Sequence, residues 1–482
     1  MRILFVASEV QPLVKTGGLA DVAGALPAAL VETGHDCRIL LPAYPAVTKA
    51  LGRARATATL QTRVGPVEIG EYRMPDTKVP VYTLIAPALY ERPGGPYLNE
   101  QGQEHADSAI RFGLLSEVAT MLCVGGLPGD WRPQILHLND WQTGPAALWL
   151  RLKPVAGVRS VFSIHNIGYQ GNFAPQSVDT LGLPWSVYTP DGAEFYGHFS
   201  FLKAGIVYSD AITTVSPTYA EEIQTADFGF GMDGMLRKRA DALTGIVNGI
   251  DTRVWDPAGD PHVVRKYSAA RLGYKQRNKE LLQQALGLRP YLEAPLFGVV
   301  SRLAYQKGID LLVQTLPALI EQGAQLAVLG SGDPELEQTL SSLATRFPDA
   351  VAVRLGYDEQ LAHRIEAGAD AFVMPSRYEP CGLNQMYSMR YGTLPIVRAT
   401  GGLADTVTGL DVKRSNLETA TGFSFGEATQ KDLAGALRQA IAVWREPSVW
   451  RQMQRNAMQR DFSWRASAQR YSALYQDLLQ RP

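Results

Sequence analysis

Residues 8–21, Ser-Glu-Val-Gln-Pro-Leu-Val-Lys-Thr-Gly-Gly-Leu-Ala-Asp, connect a short apolar run, Ile3–Ala7, to an alanine- and leucine-rich stretch, Leu19–Thr33. The apolar run predicts a buried strand and the second stretch predicts a helix. The loop between them carries Lys15 and paired glycines, which let a backbone approach a ligand closely. The positive end of the helix dipole would point at this loop, as in a diphosphate site. An ordinary turn with a surface lysine fits the same residues.

The overall composition is that of a globular protein with two or three domains. The chain has 482 residues, 46% of them apolar, with 46 basic and 47 acidic residues. This charge balance argues against a nucleic-acid-binding or membrane-binding surface. Cys37, Cys123 and Cys381 are far apart, so neither a disulfide framework nor a zinc site is expected. No signal peptide or bilayer-spanning segment is indicated, and the expected compartment is a reducing cytoplasm.

The pattern of the first half predicts an α/β domain over residues 1–247. A helix is predicted over 103–125 and a hairpin over 64–69. The predicted strands of this domain are Ile3–Ala7, Cys37–Leu41, Val79–Ile85, Gln134–Leu138, Arg159–Ile164 and Ala211–Val215. Functional residues follow several of these strands, as expected for an open parallel sheet.

A second α/β domain is predicted over residues 248–463, after a break rich in Gly and Pro. Its predicted strands are Leu296–Ser301, Leu326–Leu329, Ala352–Leu355, Ala371–Met374 and Leu394–Val397, and a helix is predicted over Ile309–Gln322. Two doubly wound, Rossmann-like domains facing a cleft are therefore expected. The amphipathic tail, residues 464–482, either packs back on the first domain or caps the second.

Charged residues follow the strands of the second domain. Arg302 and Lys307 come after its first strand, where two cations can neutralise a diphosphate without a metal. Alternatively, the two residues are solvated surface charges, which is the more common case for such a pair. The stretch Ser376–Leu383 places Glu379 at the cleft with a free carboxylate, or at a helix terminus where it satisfies the dipole. Cys381 has no nearby His partner and is interpreted as a packing residue.

Polar residues also follow two strands of the first domain. Asp140 follows one strand, and His165 and Asn166 follow the next. They are either hydrogen-bonding residues of the core or, clustered at one sheet edge, ligands of sugar hydroxyls. Thr400–Gly402 is a backbone anion or sugar site, or only a turn. The chain has no G-x-S-x-G or Ser-His-Asp arrangement and no Asp-x-Asp pair, so neither acyl hydrolysis nor a metal-held sugar nucleotide is expected.

Seven motifs in this order resemble the bacterial glycogen synthases and plant starch synthases over the whole chain. They are Lys15-Thr-Gly-Gly-Leu19, His137-Leu-Asn-Asp-Trp141, Ile164-His-Asn166, Val247-Asn-Gly-Ile250, Ser301-Arg-Leu303 with Lys307-Gly308, Glu379-Pro-Cys-Gly382 and Thr400-Gly-Gly402. The resemblance implies a glycosyltransferase-B fold without cofactor or metal. It implies transfer of glucose from ADP-glucose to the 4-hydroxyl end of an α-1,4-glucan, glycogen or a malto-oligosaccharide, with retention.

The resemblance also implies the site residues. The implied catalytic residues are Glu379, His165, Asp140, Arg302, Lys307 and Lys15. The implied substrate-binding residues are Lys15, Gly18, Asp21, Asn166, Asn248, Arg302, Lys307, Tyr378, Glu379, Cys381, Gly382, Leu383, Thr400, Gly401, Gly402, Glu9 and Tyr97. Among these, Lys15, Gly18, Arg302 and Lys307 would meet the diphosphate. Tyr378 would lie against adenine.

Three other functions fit parts of this pattern. Another glycosyltransferase of the same fold, such as a sucrose-type synthase, would share the architecture, but the Lys15–Leu19 loop favours the glycogen and starch group. A phosphorylase would need a lysine that binds pyridoxal phosphate. A non-catalytic glucan-binding protein is disfavoured, because cations gathered at a cleft have no role for a neutral glucan. Fold alone does not separate these functions.

Overall fold

The computed structural model describes residues 1–52, 56–125 and 130–481, and the chain divides into two compact units. Unit 1 comprises Met1–Gly249 with the chain from Trp464 onward, and unit 2 comprises Ile250–Ser463. The sequence placed this boundary between residues 247 and 248. Each unit has helices packed on a largely parallel sheet, so the predicted α/β fold class is confirmed.

Unit 1 is organised around a large sheet and a small three-stranded sheet. Its strands are β1 (Arg2–Val6), β2 (Asp36–Pro42), β3 (Ala56–Thr62), β4 (Gly65–Arg73), β5 (Pro80–Ile85), β6 (Ile135–Asn139), β7 (Arg159–Ile164), β8 (Asn172–Phe173), β9 (Glu194–Phe195), β10 (His198–Ser200), β11 (Ala211–Thr214) and β12 (Leu243–Gly245). The large sheet has the order β12-β11-β7-β6-β1-β2-β5-β4-β3, and the small one has the order β8-β10-β9. In the large sheet, β3 and β4 pair antiparallel with each other, and β4 also pairs antiparallel with β5.

The strand order of the large sheet reverses between β1 and β6, because β1 pairs in parallel with both β2 and β6. Ile3–Val6 of β1 is fully buried, as expected for a parallel strand covered on both faces. Loops that leave two such strands in opposite directions open a crevice at their carboxyl ends. In unit 1 this crevice lies beside the loop after β1 and the chain after β6.

Helices lie between the strands of unit 1. They are α1 (Gly18–Glu32), α2 (Pro45–Leu51), α3 (Pro87–Tyr90), α4 (Ser108–Val124), α5 (Gly144–Leu152), α6 (Ser177–Thr180), α7 (Phe201–Tyr208), α8 (Pro217–Glu222) and α9 (Asp233–Lys238), with short 3-10 helices at Trp141–Thr143, Trp185–Val187 and Ala240–Ala242. The helix predicted over 103–125 begins later, at Ser108. The side chain of Asn99 accepts hydrogen bonds from the backbone N–H groups of Gln101 and Gln103, which holds this segment in a turn.

Unit 2 has a six-stranded parallel sheet. Its strands are β13 (Leu296–Val300), β14 (Gln325–Gly330), β15 (Val351–Leu355), β16 (Ala371–Met374), β17 (Leu394–Arg398) and β18 (Phe423–Phe425). The order is β15-β14-β13-β16-β17-β18, so the reversal lies between β13 and β16. Its helices are α10 (Lys275–Leu286), α11 (Ile309–Glu321), α12 (Pro334–Arg346), α13 (Glu359–Gly368), α14 (Asn384–Arg390), α15 (Gly401–Thr406), α16 (Gln430–Trp444) and α17 (Pro447–Met458), with 3-10 helices at Ala269–Tyr274 and Tyr305–Lys307.

The tail forms α18 (Trp464–Gln480), which belongs to unit 1 and contacts α1. Tyr475 is fully buried, and its hydroxyl is 2.7 Å from Nδ1 of His137 in β6. Nε2 of His137 is in turn 2.6 Å from Oγ of Ser163 in β7. Burial lowers the pKa of His137 to about 3, so the imidazole is neutral. The tail thus contributes to a buried polar chain beneath the carboxyl ends of β6 and β7.

Candidate functional site

The loop after β1 is organised by a carboxylate of its own. Glu9 is buried, and its Oε2 accepts hydrogen bonds from the backbone N–H groups of Thr16 at 2.5 Å and Gly17 at 3.2 Å. Burial raises the pKa of Glu9, although these hydrogen bonds oppose the shift. The backbone N–H groups of Thr16 and Gly17, which precede α1, are therefore bound within the protein by Glu9.

Lys15 and Gly18 lie on the solvent side of the same loop. Nζ of Lys15 is 2.7 Å from Oδ1 of Asp21 in the first turn of α1, and the lysine side chain is 46% exposed. A Cβ atom added to Gly18 would meet no atom within 4 Å. Packing of the protein therefore does not require glycine at position 18, and its backbone stays open to a ligand.

Asp140 follows β6 and reaches across to the chain after β7. Its backbone has a positive φ of 54°, uncommon for a residue other than glycine. Its Oδ1 accepts a hydrogen bond of 2.7 Å from the N–H of His165, and the N–H of Asn166 also bonds to this carboxylate. Burial raises the pKa of Asp140 to about 7 against these hydrogen bonds. The structure therefore brings together Asp140, His165 and Asn166, which the sequence placed at neighbouring strand ends.

The imidazole of His165 is held by the residue before Asp140. Its Nε2 is 3.0 Å from Oδ1 of Asn139, and Nδ2 of Asn139 donates a 2.9 Å hydrogen bond to the carbonyl of Val6 in β1. Burial lowers the pKa of His165 to about 4, so its ring is neutral near pH 7. One amide side chain thus links the ends of β1 and β6 to the residue that follows β7.

Two further predicted residues lie near the carboxyl edge of this sheet. The Tyr97 hydroxyl is 2.8 Å from Oγ of Ser8, which follows β1. Asn248 follows β12 and is buried, and its Oδ1 has no hydrogen-bond partner among the described residues. A buried amide oxygen without a partner is unfavourable by about 1–3 kcal/mol. Such an atom is a candidate for contact with a ligand.

In unit 2, Arg302 and Lys307 lie beside the reversal between β13 and β16. Arg302 is exposed, and its Nη2 is 3.2 Å from Oε1 of Gln306. Gly308 has a φ of 67°, and a Cβ there would lie 2.0 Å from the carbonyl oxygen of Pro375. Glycine is therefore required at 308 for the Lys307 turn to approach the chain after β16.

Glu379 faces this turn and is not the free carboxylate that the sequence predicted. It is buried, and its Oε2 lies 2.5 Å from Nζ of Lys307 and accepts a 3.0 Å hydrogen bond from Oγ of Ser376. The free carboxylate, one of two alternatives, was wrong because the directions of these side chains at neighbouring strand ends, which a sequence pattern does not give, bring Nζ of Lys307 to Glu379. The cation and hydroxyl hold the carboxylate in one orientation.

These residues line a pocket in unit 2 at the carboxyl ends of β13 and β16. Its polar and backbone lining includes Arg302, Lys307, Ser376, Glu379, Gly382 and Leu383. Cys381 is buried and forms no disulfide, in keeping with its interpretation as a packing residue. Tyr378 is half-buried, and its carbonyl oxygen accepts a hydrogen bond from Nε2 of Gln306.

The Thr400–Gly402 segment supports the Glu379 loop from behind. The N–H of Gly402 lies 3.2 Å from the carbonyl oxygen of Glu379 and 3.1 Å from that of Pro380. A Cβ at Gly401 would lie 2.0 Å from the Glu379 carbonyl, and one at Gly402 would lie 2.0 Å from that of Cys381. The Gly402 N–H is therefore used within the protein, where it supports the Glu379 loop.

Sequence reasoning did not single out Asn139, Ser376 or Tyr475. Asn139 lies inside the His137–Trp141 motif and Ser376 begins the stretch that contains Glu379, so position near a strand end was an available signal for both. Nothing local pointed to Tyr475, because its partner His137 is 338 positions away.

Within the described ranges, no group of three or more His, Cys, Asp or Glu residues is arranged to hold a metal ion. Helices in the same part of the chain are too short or too polar to cross a membrane.

Two family models match the chain. Residues 2–238 match the model described as the starch synthase catalytic domain, and residues 287–458 match glycosyl transferases group 1. A glycogen synthase of Nitrosomonas eutropha is 50% identical over 100% of this chain and 97% of its own length. A glycogen synthase of Nitrosomonas europaea is 48% identical over 100% of this chain and 98% of its own.

Solved structures are also similar to this chain. The catalytic domain of starch synthase IV from Arabidopsis thaliana, bound to ADP and acarbose, has a TM-score of 0.88 and 32% identity, covering 100% of this chain and 99% of its own. A sucrose-phosphate synthase from Thermosynechococcus elongatus has a TM-score of 0.58 at 18% identity, covering 99% and 98%. The second likeness concerns the fold alone.

Proposed function

This chain belongs to the glycogen synthase family, and on that premise we propose that it transfers glucose from ADP-glucose to the non-reducing 4-hydroxyl of an α-1,4-glucan, with retention. The chain is a glycosyltransferase of the two-domain type. The observation that carries the proposal is the pocket of unit 2, where Arg302, Lys307 and Glu379 meet at the reversal between β13 and β16. Open α/β sheets bind ligands at such a position.

The cations of this pocket fit a diphosphate leaving group. In the transition state the C1–oxygen bond to the diphosphate breaks, and negative charge grows on the departing oxygen. Arg302 and Lys307 would stabilise that charge, so their contribution should appear mainly in kcat. The half-buried Tyr378 stays our prediction for the adenine contact. Two exposed tyrosines of unit 2 are alternatives for stacking: Tyr305, 67% exposed, by the ring face that the Arg377 guanidinium does not cover, and Tyr357, 86% exposed.

We assign the glucose to residues after β6 and β7 of unit 1. Asp140 and Asn166 would bind its hydroxyls, and the unpaired Oδ1 of Asn248 would accept another sugar hydroxyl. The backbone carbonyl of His165 would face the positive charge that develops at C1. Glu9 and Tyr97 stay our prediction for the acceptor side.

Glu379 orients the donor and does not act as the nucleophile in this proposal. Its Oε2 is already engaged by Lys307 and Ser376, and a carboxylate bound to a cation is a poor nucleophile. The pocket that it lines is the one assigned to the leaving group, whereas a nucleophile must attack from the opposite face. The acceptor oxygen would therefore bond to C1 on the face that the diphosphate leaves. The departing phosphate oxygen would take the acceptor proton.

The test is transfer of radiolabelled glucose to glycogen from ADP-glucose and UDP-glucose in parallel. We expect a large kcat/KM preference for ADP-glucose and full activity after EDTA treatment. Equal or better use of UDP-glucose would refute the donor assignment. Activity lost with EDTA and restored by a divalent ion would refute charge stabilisation by the lysine and arginine side chains alone.

The role of Glu379 has a separate test. Glu379→Gln should keep donor binding and lower kcat severely. Mass spectrometry of enzyme quenched with a fluorinated donor analogue should detect no glucosylated peptide. A glucose adduct on Glu379, formed as fast as turnover, would make it the nucleophile.

A cytoplasmic location also stays a prediction.

A further inference from the structure

The side chain of Asn139 has one orientation that satisfies both of its neighbours. It is fully buried, and its two ends meet the carbonyl oxygen of Val6 at 2.9 Å and Nε2 of His165 at 3.0 Å. A carbonyl oxygen only accepts hydrogen bonds, so the NH2 end must face Val6. The amide oxygen therefore faces the imidazole.

This orientation of the amide determines which nitrogen of the His165 imidazole carries the proton. An amide oxygen cannot donate, so Nε2 of the imidazole must carry the proton. The neutral ring then has its lone pair on Nδ1, which can only accept a hydrogen bond. Because Val6 ends β1 and Asn139 ends β6, the ring is fixed to two strands of the rigid sheet.

We propose that Asn139 is a positioning residue of the transfer reaction, which holds the imidazole of His165 in one orientation and in the Nε2–H tautomer. The inference rests on the proposed function, because it deepens the role given there to residue 165. The backbone N–H of His165 is bound by Asp140 and its ring by Asn139, so consecutive residues fix both parts of one residue. A carbonyl that faces developing charge needs such support, since a shift of about 1 Å can lower a rate about 100-fold.

The test compares Asn139→Ala, Asn139→Asp and the unchanged protein. Long-range ¹H–¹⁵N spectra distinguish the two histidine tautomers, and the chain has only 7 histidines to assign. We expect Nε2–H for His165 in the unchanged protein. Asn139→Asp keeps an acceptor oxygen for the ring but loses the donor to the Val6 carbonyl, so we expect Nε2–H there too, with a lower unfolding free energy. In Asn139→Ala we expect a mixture of tautomers. We also expect kcat to fall by roughly 10- to 100-fold with donor KM nearly unchanged.

Asn278→Ala is the matched control. Asn278 is a buried asparagine of unit 2 whose side chain also bonds at both ends, to the N–H of Arg265 at 2.9 Å and its carbonyl at 2.7 Å. Its loss should lower stability and leave both kcat and the His165 signals unchanged. If Asn139→Ala lowers kcat while the His165 tautomer stays Nε2–H, the loss reflects only destabilisation of unit 1, and that result would overturn the proposal.

A double-mutant cycle completes the test. In a His165→Ala background, Asn139→Ala should have little further effect on kcat, because the group that it positions is gone. An undiminished effect there, or an Nδ1–H tautomer in the unchanged protein, would overturn the proposal. The tautomer is read without substrate. Failure of glucose transfer from ADP-glucose would thus reject the proposed function while leaving the structural result intact.

Discussion

Substitution of Gly18 by alanine tests whether a ligand contacts this residue, because the added methyl group leaves the packing of the protein unchanged. Gly18 is exposed, begins α1, and would carry a Cβ with no atom within 4 Å. Alanine is favoured over glycine in helices by up to about 1 kcal/mol. We therefore expect Gly18→Ala to keep or raise the melting temperature, by up to about 3 °C. Any loss of function must then come from a molecule that approaches this backbone.

The expected loss follows from one hydrogen bond. If a diphosphate oxygen accepts from the backbone N–H of Gly18, a methyl group there would push it out of reach. A hydrogen bond to a charged group contributes about 1.5–3 kcal/mol. ADP affinity measured by calorimetry, and kcat/KM for ADP-glucose, should therefore fall by roughly 10- to 100-fold.

Two other glycines are the controls. Gly435, inside α16, also has open space where a methyl group would lie, so Gly435→Ala should gain stability and keep ADP affinity. A Cβ at Gly24 would lie 2.4 Å from the Gln11 carbonyl, so Gly24→Ala should be destabilising by about 1–3 kcal/mol. Unchanged ADP affinity and kcat/KM in Gly18→Ala would refute a diphosphate contact at this residue.

Three further outcomes are expected. Ser376→Ala should lower kcat about 10-fold by removing one donor to Glu379, whereas Ser388→Ala, which removes a buried hydroxyl of α14, should not. Tyr475→Phe should lower the unfolding free energy of unit 1 by about 1–3 kcal/mol in urea titrations, since it leaves Nδ1 of His137 unpaired. The unfolded chain protonates His137 near pH 6.5, but the folded chain does so only near pH 3. The contribution of the neutral His137 to the free energy of unfolding is therefore fully present above pH 6.5. It falls by about 1.4 kcal/mol for each pH unit below that value. Urea midpoints should show the stability difference from His137→Gln shifting with that slope; a pH-independent difference would contradict it.

Which candidate site residues lie together within each unit was predictable from the sequence, because it depends on which strands they follow. Apolar runs such as Ile3–Ala7 and Ala371–Met374 predicted strands, and the structure has a strand at each of these two places. Residues just after parallel strands share one sheet edge whatever their separation in the chain. That rule placed Asp140 near His165, and Lys307 on the same sheet as Glu379. Short strands such as β12 and β18 were missed, because three residues carry too little periodicity.

The partners of the site residues were not predictable, because hydrogen bonding depends on side-chain direction. Sequence reasoning gave Glu379 either a free carboxylate or a place at a helix terminus, whereas the structure pairs it with Lys307. It left Thr400–Gly402 as a backbone anion or sugar site, or only a turn, and did not foresee that the Glu379 loop packs so closely that only glycine fits at 401 and 402. Such a constraint is visible only as a distance to a backbone atom.

The pairing of Lys307 with Glu379 determines which substitutions can report on the chemistry. Both side chains are largely buried, 19% and 9% exposed. Removing one partner of a buried pair leaves the other charge uncompensated, which is unfavourable by about 3–5 kcal/mol. A Lys307→Ala variant therefore combines the loss of a phosphate ligand with a misplaced carboxylate. Lys307→Met with Glu379→Gln removes both charges together. In Glu379→Gln the amide oxygen can still accept a hydrogen bond from Lys307, so comparison of the double variant with Glu379→Gln alone reports the effect of the lysine on ADP binding without an uncompensated carboxylate.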